Sequence, residues 1–361
     1  MGVRAGSSEE VREGNAMTGS SVSESENANH WGTPSLWVQA FRPRTLPASI
    51  APVFVGIASA IPVFRELRTC VDIYPKPHQC VVNEQMYQQA MGRFWYVAVA
   101  CVVVALFFQI AVNFANDYSD GIRGSDSERS GEEQASDKPQ RLVASGVTPT
   151  YVVAAAAISA LIAAIAGIVA IVLTGHYWFL LIGVACLAAC WFYTGGKHPY
   201  GYIGLGELSV FLFFGLAATL GTQYLLAGAV DWTGILGAIN TGLLSSVMLM
   251  VNNIRDIDDD LISGKRTLAA RLGHTWAERS VYLMLVIPVA TVIFLAITSM
   301  LYSRLGWLVV ILALLNVTCA TIAVRTLHSS NPHKFGKALA FSGFILLSYA
   351  AVHVVAMLEF L

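Results

Sequence analysis

The sequence predicts an all-α fold, a polytopic membrane bundle of nine transmembrane helices with its N-terminus in the cytoplasm. Three observations lead there. Only 12% of the 361 residues are charged, about half the share of a soluble domain, while 55% are hydrophobic and mean hydropathy is +0.60. Apolar stretches recur at close to the ~20 residues that one helical crossing of a bilayer requires. Ten-residue segments of alternating polarity, the mark of a membrane barrel, are absent.

Residues 1–35 are polar, rich in Ser, Glu, Asn and Gly, and contain no apolar h-region. They read as a disordered tail rather than a signal peptide, which leaves 36–361 as one transmembrane domain. Its nine stretches are 46–64, 94–116, 149–173, 177–194, 207–228, 233–254, 281–301, 305–324 and 338–358. Polar residues inside them are mostly Ser, Thr, Asn and Gln, which helices in lipid accommodate by bonding to neighbours. The polar segment 65–93 is expected to be an extracytoplasmic loop, and 117–148 and 255–276 to be cytoplasmic loops. With the tail inside, 17 of the 22 Lys and Arg residues fall on the cytoplasmic side. The other five, Arg65, Arg68, Lys76, Arg93 and Arg304, fall outside, in keeping with the positive-inside tendency. Cys101, Cys186, Cys190 and Cys319 lie in apolar runs as packing residues. Cys70 and Cys80 share the outer loop, where the compartment permits a disulfide. The histidines show no metal-like spacing.

The second stretch ends in NDYSDGIRGSD (116–126) and the sixth in NNIRDIDDD (252–260). Aspartates near helix ends are ordinarily caps, and acidic loops are ordinarily solvated surface. Caps belong at N-termini, where the macrodipole is positive, whereas both groups follow C-terminal ends. Asp117, Asp120, Asp126, Asp256, Asp258, Asp259 and Asp260 would also repel one another. A bound cation resolves both difficulties. Asn116 or Asp117 with Asp120, and Asp256 with Asp260, are spaced to project from one helical face. Oxygen donors without His or Cys suit Mg²⁺, which keeps several waters and binds a few carboxylates plus substrate phosphate. Four crossings separate the groups, so they share one side of the membrane, and Mg²⁺ between them would seat a diphosphate. Positive donors for it are Arg42 in FRPRTLP, Arg141 in RLVASG, Lys197 in YTGGKHPYGY, and Arg255, Lys265 and Arg266 in IRDIDDDLISGKRT. Juxtamembrane Lys and Arg are common on any cytoplasmic face, so each is ordinary taken singly. Trp191, Phe192, Tyr193, Tyr200 and Tyr202 surround the 195–206 loop, either as an interfacial belt or as a shield for a cation.

The stretches FRPRTLPASIAPVFVGIA (41–58), NDYSDGIRGSD, RLVASG (141–146), YTGGKHPYGYIGLGELSVFLFFG (193–215) and NNIRDIDDDLISGKRTLAARLG (252–273) occur in this order. On them the chain resembles the UbiA superfamily of intramembrane aromatic prenyltransferases, and within it the branch that prenylates 1,4-dihydroxy-2-naphthoate in menaquinone biosynthesis. The family's first motif, NDxxDxxxD, is met by Asn116, Asp117 and Asp120. Its last place falls on Gly124, with the next acid at Asp126, a spacing similar to the naphthoate branch and unlike the 4-hydroxybenzoate branch. The second motif, DxxxD, is met by Asp256 and Asp260. The segments 127–140 and 65–93 are longer than the family pattern.

The resemblance implies a UbiA-type fold and a Mg²⁺-dependent transfer from an allylic polyprenyl diphosphate to dihydroxynaphthoate, with loss of carbon dioxide and diphosphate. Asn116, Asp117, Asp120, Asp256 and Asp260 would hold Mg²⁺, and Arg42, Arg141, Lys197, Lys265 and Arg266 the diphosphate. The catalytic set is Asp117, Asp120, Asp256, Asp260 and Lys197. Asn113, Tyr193, Tyr200 and Asn253 are the expected substrate contacts. The donor's tail would stay in the bilayer, since each CH₂ kept from water contributes about 0.8 kcal/mol. The expected location is the cell inner membrane with the site facing the cytoplasm, with no nucleic acid or protein partner. Other acceptors, homogentisate or 4-hydroxybenzoate, are the nearest alternatives. A cation-coupled transporter is a more distant one: transporter carboxylates lie near the midplane, whereas these gather at one interface.

Overall fold

The computed structural model describes residues 31–68, 80–124, 140–329 and 333–358. Among them every regular element is helical. A short α1 (Pro34–Ala40) and a 3-10 turn (Pro43–Thr45) lead into α2 (Pro47–Arg68), followed by α3 (Cys80–Ile122), α4 (Pro149–Thr174) and α5 (Phe179–Thr194). A second 3-10 turn (Tyr200–Ile203) precedes α6 (Gly206–Val210), which runs through a π-helical segment (Phe211–Ala217) into α7 (Ala218–Ala227). Then come α8 (Trp232–Arg255), the short α9 (Ile257–Ile262), α10 (Leu268–Tyr302), α11 (Gly306–Leu327) and α12 (Lys334–Leu358).

The helix ends follow local chemistry. Pro149 opens α4 and Gly175, at φ 77°, closes it, the usual asymmetry of proline first and glycine last. Asp231 caps α8 by accepting the Gly234 N–H, and Thr267 caps α10 through the Ala270 N–H. Among the described residues, eight helical segments are long and apolar enough to cross a membrane. The expected fourth crossing is α5, which has only 16 residues and spans about 24 Å by helical rise, short of a ~30 Å hydrocarbon core.

Two expected loops are largely helical. α2 continues to Arg68 and α3 already begins at Cys80, so helix occupies both flanks of 65–93. The polar run NEQMYQQAM (83–91) is made of good helix formers. Hydropathy marks where a helix leaves lipid and not where its hydrogen bonding stops. The Cys70–Cys80 pairing and most of the tail lie outside the described residues. Likewise 255–276 is mostly α9 and the start of α10, which breaks only at Gly273 (φ 73°, ψ 163°).

α2 is central and lies against α3, α7, α8 and α12, while α10 and α11 complete the far side and α4 lines α3. Outward positions such as Leu181, Val184, Leu283 and Phe294 are apolar and exposed, as lipid contact requires. Because lipid is as apolar as these helices, close backbone approach and buried hydrogen bonds hold them together. Asn240 Nδ2 donates to Tyr349 Oη at 3.0 Å and Asn316 Nδ2 to Ser348 Oγ at 2.8 Å. A Cβ on Gly215 would lie 2.4 Å from the Gly242 Cα, so the π-helical segment and α8 meet backbone to backbone.

Gly215→Ala is therefore expected to destabilise the bundle by roughly 1–3 kcal/mol, the usual cost of overpacking. Gly92→Ala, where an added Cβ meets nothing within 4 Å, should stabilise by about 0.5–1 kcal/mol. Thermal unfolding of the detergent-solubilised variants reads both signs.

Candidate active site

The end of α3 supplies the first acidic motif, and its side chains turn two ways. Asp117 faces the segment that carries Leu142 and Val143: its Oδ2 accepts from Leu142 N at 2.8 Å and its Oδ1 from Val143 N at 3.2 Å. Gly121, one turn on, lies so close to Val143 that a Cβ there would approach within 2.4 Å. Asp117 thus docks the loop that carries Arg141. Asn116 and Asp120 instead line a cavity of about 520 Å³.

The second motif straddles α8 and α9. Asp256 closes α8, and Asp260 N donates to Asp256 O at 2.8 Å, so both carboxylates reach the same cavity from one helical face. Asp258, Asp259 and Asp260 sit in the first turn of α9, with Asp256 at its N-cap position, where the helix dipole favours acids. The helix-terminus explanation therefore extends to the whole second group, and it is the cavity lining that separates Asp256 and Asp260 from Asp258 and Asp259.

Each cavity-facing acid has a local partner. Lys265 Nζ lies 3.0 Å from Asp120 Oδ1, with both side chains buried, and the Tyr202 hydroxyl donates to the same oxygen. Arg255 grips Asp256 through two parallel bonds of 2.9 and 2.8 Å. Thr267 Oγ1 donates to Asp260 Oδ2 at 3.1 Å. Lys265 N donates to Asp260 O at 2.7 Å and Arg266 N to Tyr202 O at 2.8 Å, stitching the basic loop to both acids and to the 200–203 turn. Burial and the Asp120 charge push the Tyr202 phenol far above its ordinary range, so it remains a donor.

Arg42 enters from the turn before α2. It holds φ 51°, the sole positive φ of any non-glycine among the described residues, a conformation that costs about 1–3 kcal/mol and tends to persist at functional sites. Asn113 Nδ2 secures the turn through Phe41 O at 2.9 Å. Arg42 Nη2 is buried with no hydrogen-bond partner.

A second cavity, of about 460 Å³ and almost wholly apolar, runs between α3, α4, α5 and the π-helical segment. Arg42, Thr45, Asn116, Tyr193, Leu249 and Asn252 line both cavities and so mark their junction. Such a pair of chambers can take an amphiphile with a highly charged head and a long apolar tail. The head chamber offers only oxygen donors and cations. No group of three or more His, Cys, Asp or Glu side chains among the described residues is close enough to hold a metal alone. A hard cation would therefore share its coordination with a ligand's oxygens, as Mg²⁺ ordinarily does with phosphates.

Of the residues the sequence pointed to, Arg42, Asn116, Asp120, Arg141, Tyr193, Asn253, Asp256, Asp260 and Lys265 line the polar cavity. Asp117 lies behind it. Lys197 and Arg266 are exposed and outside its lining, because the turn after α5 points Lys197 to solvent. Asn113 and Tyr200 line the apolar cavity. Their polar atoms are engaged in the scaffold, Tyr200 Oη donating to Ala189 O at 2.8 Å. Trp191 and Phe192 are exposed, as in an interfacial belt, whereas Tyr193 and Tyr202 turn inward. Sequence reasoning missed Thr267, Asn252 and the buried Glu207, whose Oε1 accepts from Asn253 Nδ2 at 2.8 Å. A lone carboxylate opening the apolar run from 207 was the signal available for it.

Residues 86–349 match the family described as the UbiA prenyltransferase family. The chain is 40% identical over 265 residues to a 1,4-dihydroxy-2-naphthoate octaprenyltransferase of Mycobacterium leprae, covering 73% of this chain and 78% of that one. It is 33% identical over 299 residues to the protein of that name from Escherichia coli, covering 80% and 85%. Its fold is similar to the apo structure of a UbiA homolog from Aeropyrum pernix K1, with TM-score 0.53 at 18% identity over 85% of this chain and 98% of that one.

Asp117→Ala should strand the Leu142 and Val143 N–H groups, at about 1–3 kcal/mol for each buried donor left unpaired. Faster proteolysis within 140–147 and a lower Tm are expected, while Asp120→Asn should leave the loop protected.

Proposed function

The chain belongs to the UbiA prenyltransferase family, and on that premise we propose that it transfers a polyprenyl group from an allylic polyprenyl diphosphate to 1,4-dihydroxy-2-naphthoate. Carbon dioxide and diphosphate leave, giving demethylmenaquinol in menaquinone biosynthesis. The observation that carries this reading is the junction at Arg42, Asn116, Tyr193 and Asn252 between a charged chamber and an apolar one. It stands in a chain that shares 33–40% identity with naphthoate octaprenyltransferases over most of their length. We place the enzyme in the cell inner membrane as a multi-pass protein with the charged chamber toward the cytoplasm, a reading supported by the distribution of Lys and Arg.

The oxygen-only donor set fits Mg²⁺, which Asn116, Asp120, Asp256 and Asp260 would hold together with diphosphate oxygens. Bound there, Mg²⁺ would supply positive charge to the leaving diphosphate. The protein's own cations do the same work. Lys265 and Arg255, paired here with Asp120 and Asp256, can exchange carboxylate for phosphate without leaving the chamber. Arg42 brings an unpaired buried guanidinium nitrogen, and Arg141 is held in place by the Asp117 loop. These donors face the oxygen on which negative charge develops as the allylic C–O bond breaks.

The electron pair leaves with the diphosphate, and the allylic carbon is left at the junction. Water is scarce there because the adjoining chamber is apolar. Tyr193, packed edge-on against Tyr200 at 5.5 Å, offers a π surface to the cation. The naphthalene carbon bearing the carboxylate then forms the new C–C bond. The bond to carbon dioxide breaks and returns its electron pair to the ring, so no external oxidant or base is required. Asp117 serves this scheme through the Arg141 loop, and Lys197 serves at most at the rim.

Purified enzyme supplied with Mg²⁺, dihydroxynaphthoate and mixed polyprenyl diphosphates is expected to yield prenylated naphthoquinol by mass spectrometry. Product from homogentisate or 4-hydroxybenzoate instead would replace the acceptor in this reading. Asp256→Asn and Asp260→Asn should each lower kcat/KM by roughly 10²–10³, the scale of losing a charge-stabilising group. Undiminished turnover would defeat the motif's role. Lys265→Ala should cost at least about tenfold more in kcat/KM than Lys197→Ala, a difference of ~1.4 kcal/mol. Equal losses would remove Lys265 from the scheme.

A further inference from the structure

Glu207 is a buried carboxylate that the scheme above does not use. It is 4% exposed and opens the first turn of α6, at the head of an apolar span. No cation pairs with it among the described residues. Its Oε1 accepts from Asn253 Nδ2 at 2.8 Å, and its Oε2 is buried without a hydrogen-bond partner. Ser246 Oγ donates to its main-chain oxygen at 3.0 Å, which ties the start of α6 to α8. A carboxyl group in such surroundings is costly and marks function by default.

What it contributes follows from the residue it holds. Asn253 lines the charged chamber one turn before Asp256. A carboxamide has a donor end and an acceptor end, and packing by shape alone does not distinguish them. Glu207 does, because its Oε1 accepts from the Nδ2 end. With Nδ2 tied back, the free end of Asn253 is Oδ1, a hydrogen-bond acceptor. Tyr193 lies alongside: a Cβ on Gly206, the neighbour of Glu207, would lie 3.1 Å from the Tyr193 hydroxyl.

We infer that Glu207 is a positioning residue that fixes the polarity of Asn253, so that Asn253 Oδ1 accepts from a hydroxyl of the aromatic acceptor at the chamber wall. The site is thereby selective for a hydroxylated ring over its ether. This rests on the proposed reaction and adds to it the group that reads the acceptor. The long donor substrate, held by its diphosphate and tail, is indifferent to Glu207.

The test separates the two substrates. In Glu207→Gln the partner of Asn253 can donate or accept, so the carboxamide is no longer held one way. KM for dihydroxynaphthoate should rise about tenfold, the worth of one ordinary hydrogen bond, while KM for the polyprenyl diphosphate stays within about threefold. Asn253→Asp sets two carboxyl groups against each other and should be worse, by about 10²-fold in kcat/KM. The exchange Glu207→Gln with Asn253→Asp restores a donor–acceptor pair with an acceptor toward the chamber, and should recover at least about tenfold of that loss. Parallel rises in both KM values, or a double variant no better than Asn253→Asp, would overturn the inference. Should the variants not fold, unaltered enzyme decides with acceptors methylated at each hydroxyl in turn. At least one ether should lose about tenfold in KM, and equal KM values for all of them overturn the inference. Failure of the unaltered enzyme to prenylate dihydroxynaphthoate itself is a different result, which sinks the proposed reaction and this inference with it.

Discussion

Carboxylates gathered at the mouth of an apolar bundle repel one another, and the positive charge held against Asp120 and Asp256 organises the site. Asp120 is met by Lys265 and a tyrosine hydroxyl, and Asp256 by the fork of Arg255. Breaking a buried pair by removing one partner leaves an uncompensated charge and is strongly destabilising. Such cations suit a diphosphate as well as a carboxylate, which is why the proposed reaction rests on the pairs that also hold the protein together. Arg42, held in a left-handed conformation with an unpaired nitrogen, is the reverse case. There strain and desolvation are retained at the junction of the two cavities.

The second organising feature is the meeting of two solvents. A diphosphate requires donors and counter-charge, while a polyprenyl tail gains nothing by leaving lipid. The π-helical segment at Phe211–Ala217 lies on the apolar side and presents Phe213, Phe214 and Ala217 to the apolar cavity. Wider helical turns of this type are frequent at functional sites. The close Gly215–Gly242 contact anchors the other face of the segment, so α8, which carries Asn253 and is closed by Asp256, is braced against the helix that lines the apolar cavity.

Much of the fold was legible because a bilayer imposes a length on every crossing. The apolar stretches fall within observed helices to within two residues, and Asn116, Asp120, Asp256 and Asp260 line one cavity while Asp117 lies behind it. The boundaries were less legible. Polar helix formers extend α3 backwards to Cys80, since helical hydrogen bonding does not depend on hydropathy. Asp258 and Asp259 looked like the rest of the acidic run, yet they start a helix that repetition of Asp does not announce. Asp117 and Asp120 look alike in the motif, but a three-residue offset turns one toward the Leu142 backbone and the other into the cavity.

By itself the sequence determined the class of protein, the residues available for charge and the side of the membrane they share, because composition, period and spacing are local properties of a chain. Only the tertiary structure decided which cation stands by which acid: Lys265 is 145 residues from Asp120 and Glu207 is 46 from Asn253. Nothing local encodes such distances. They arise from how helices with small residues at their contacts settle against one another. That settling turned Lys197 outward, turned Lys265 inward and placed a buried carboxylate behind Asn253.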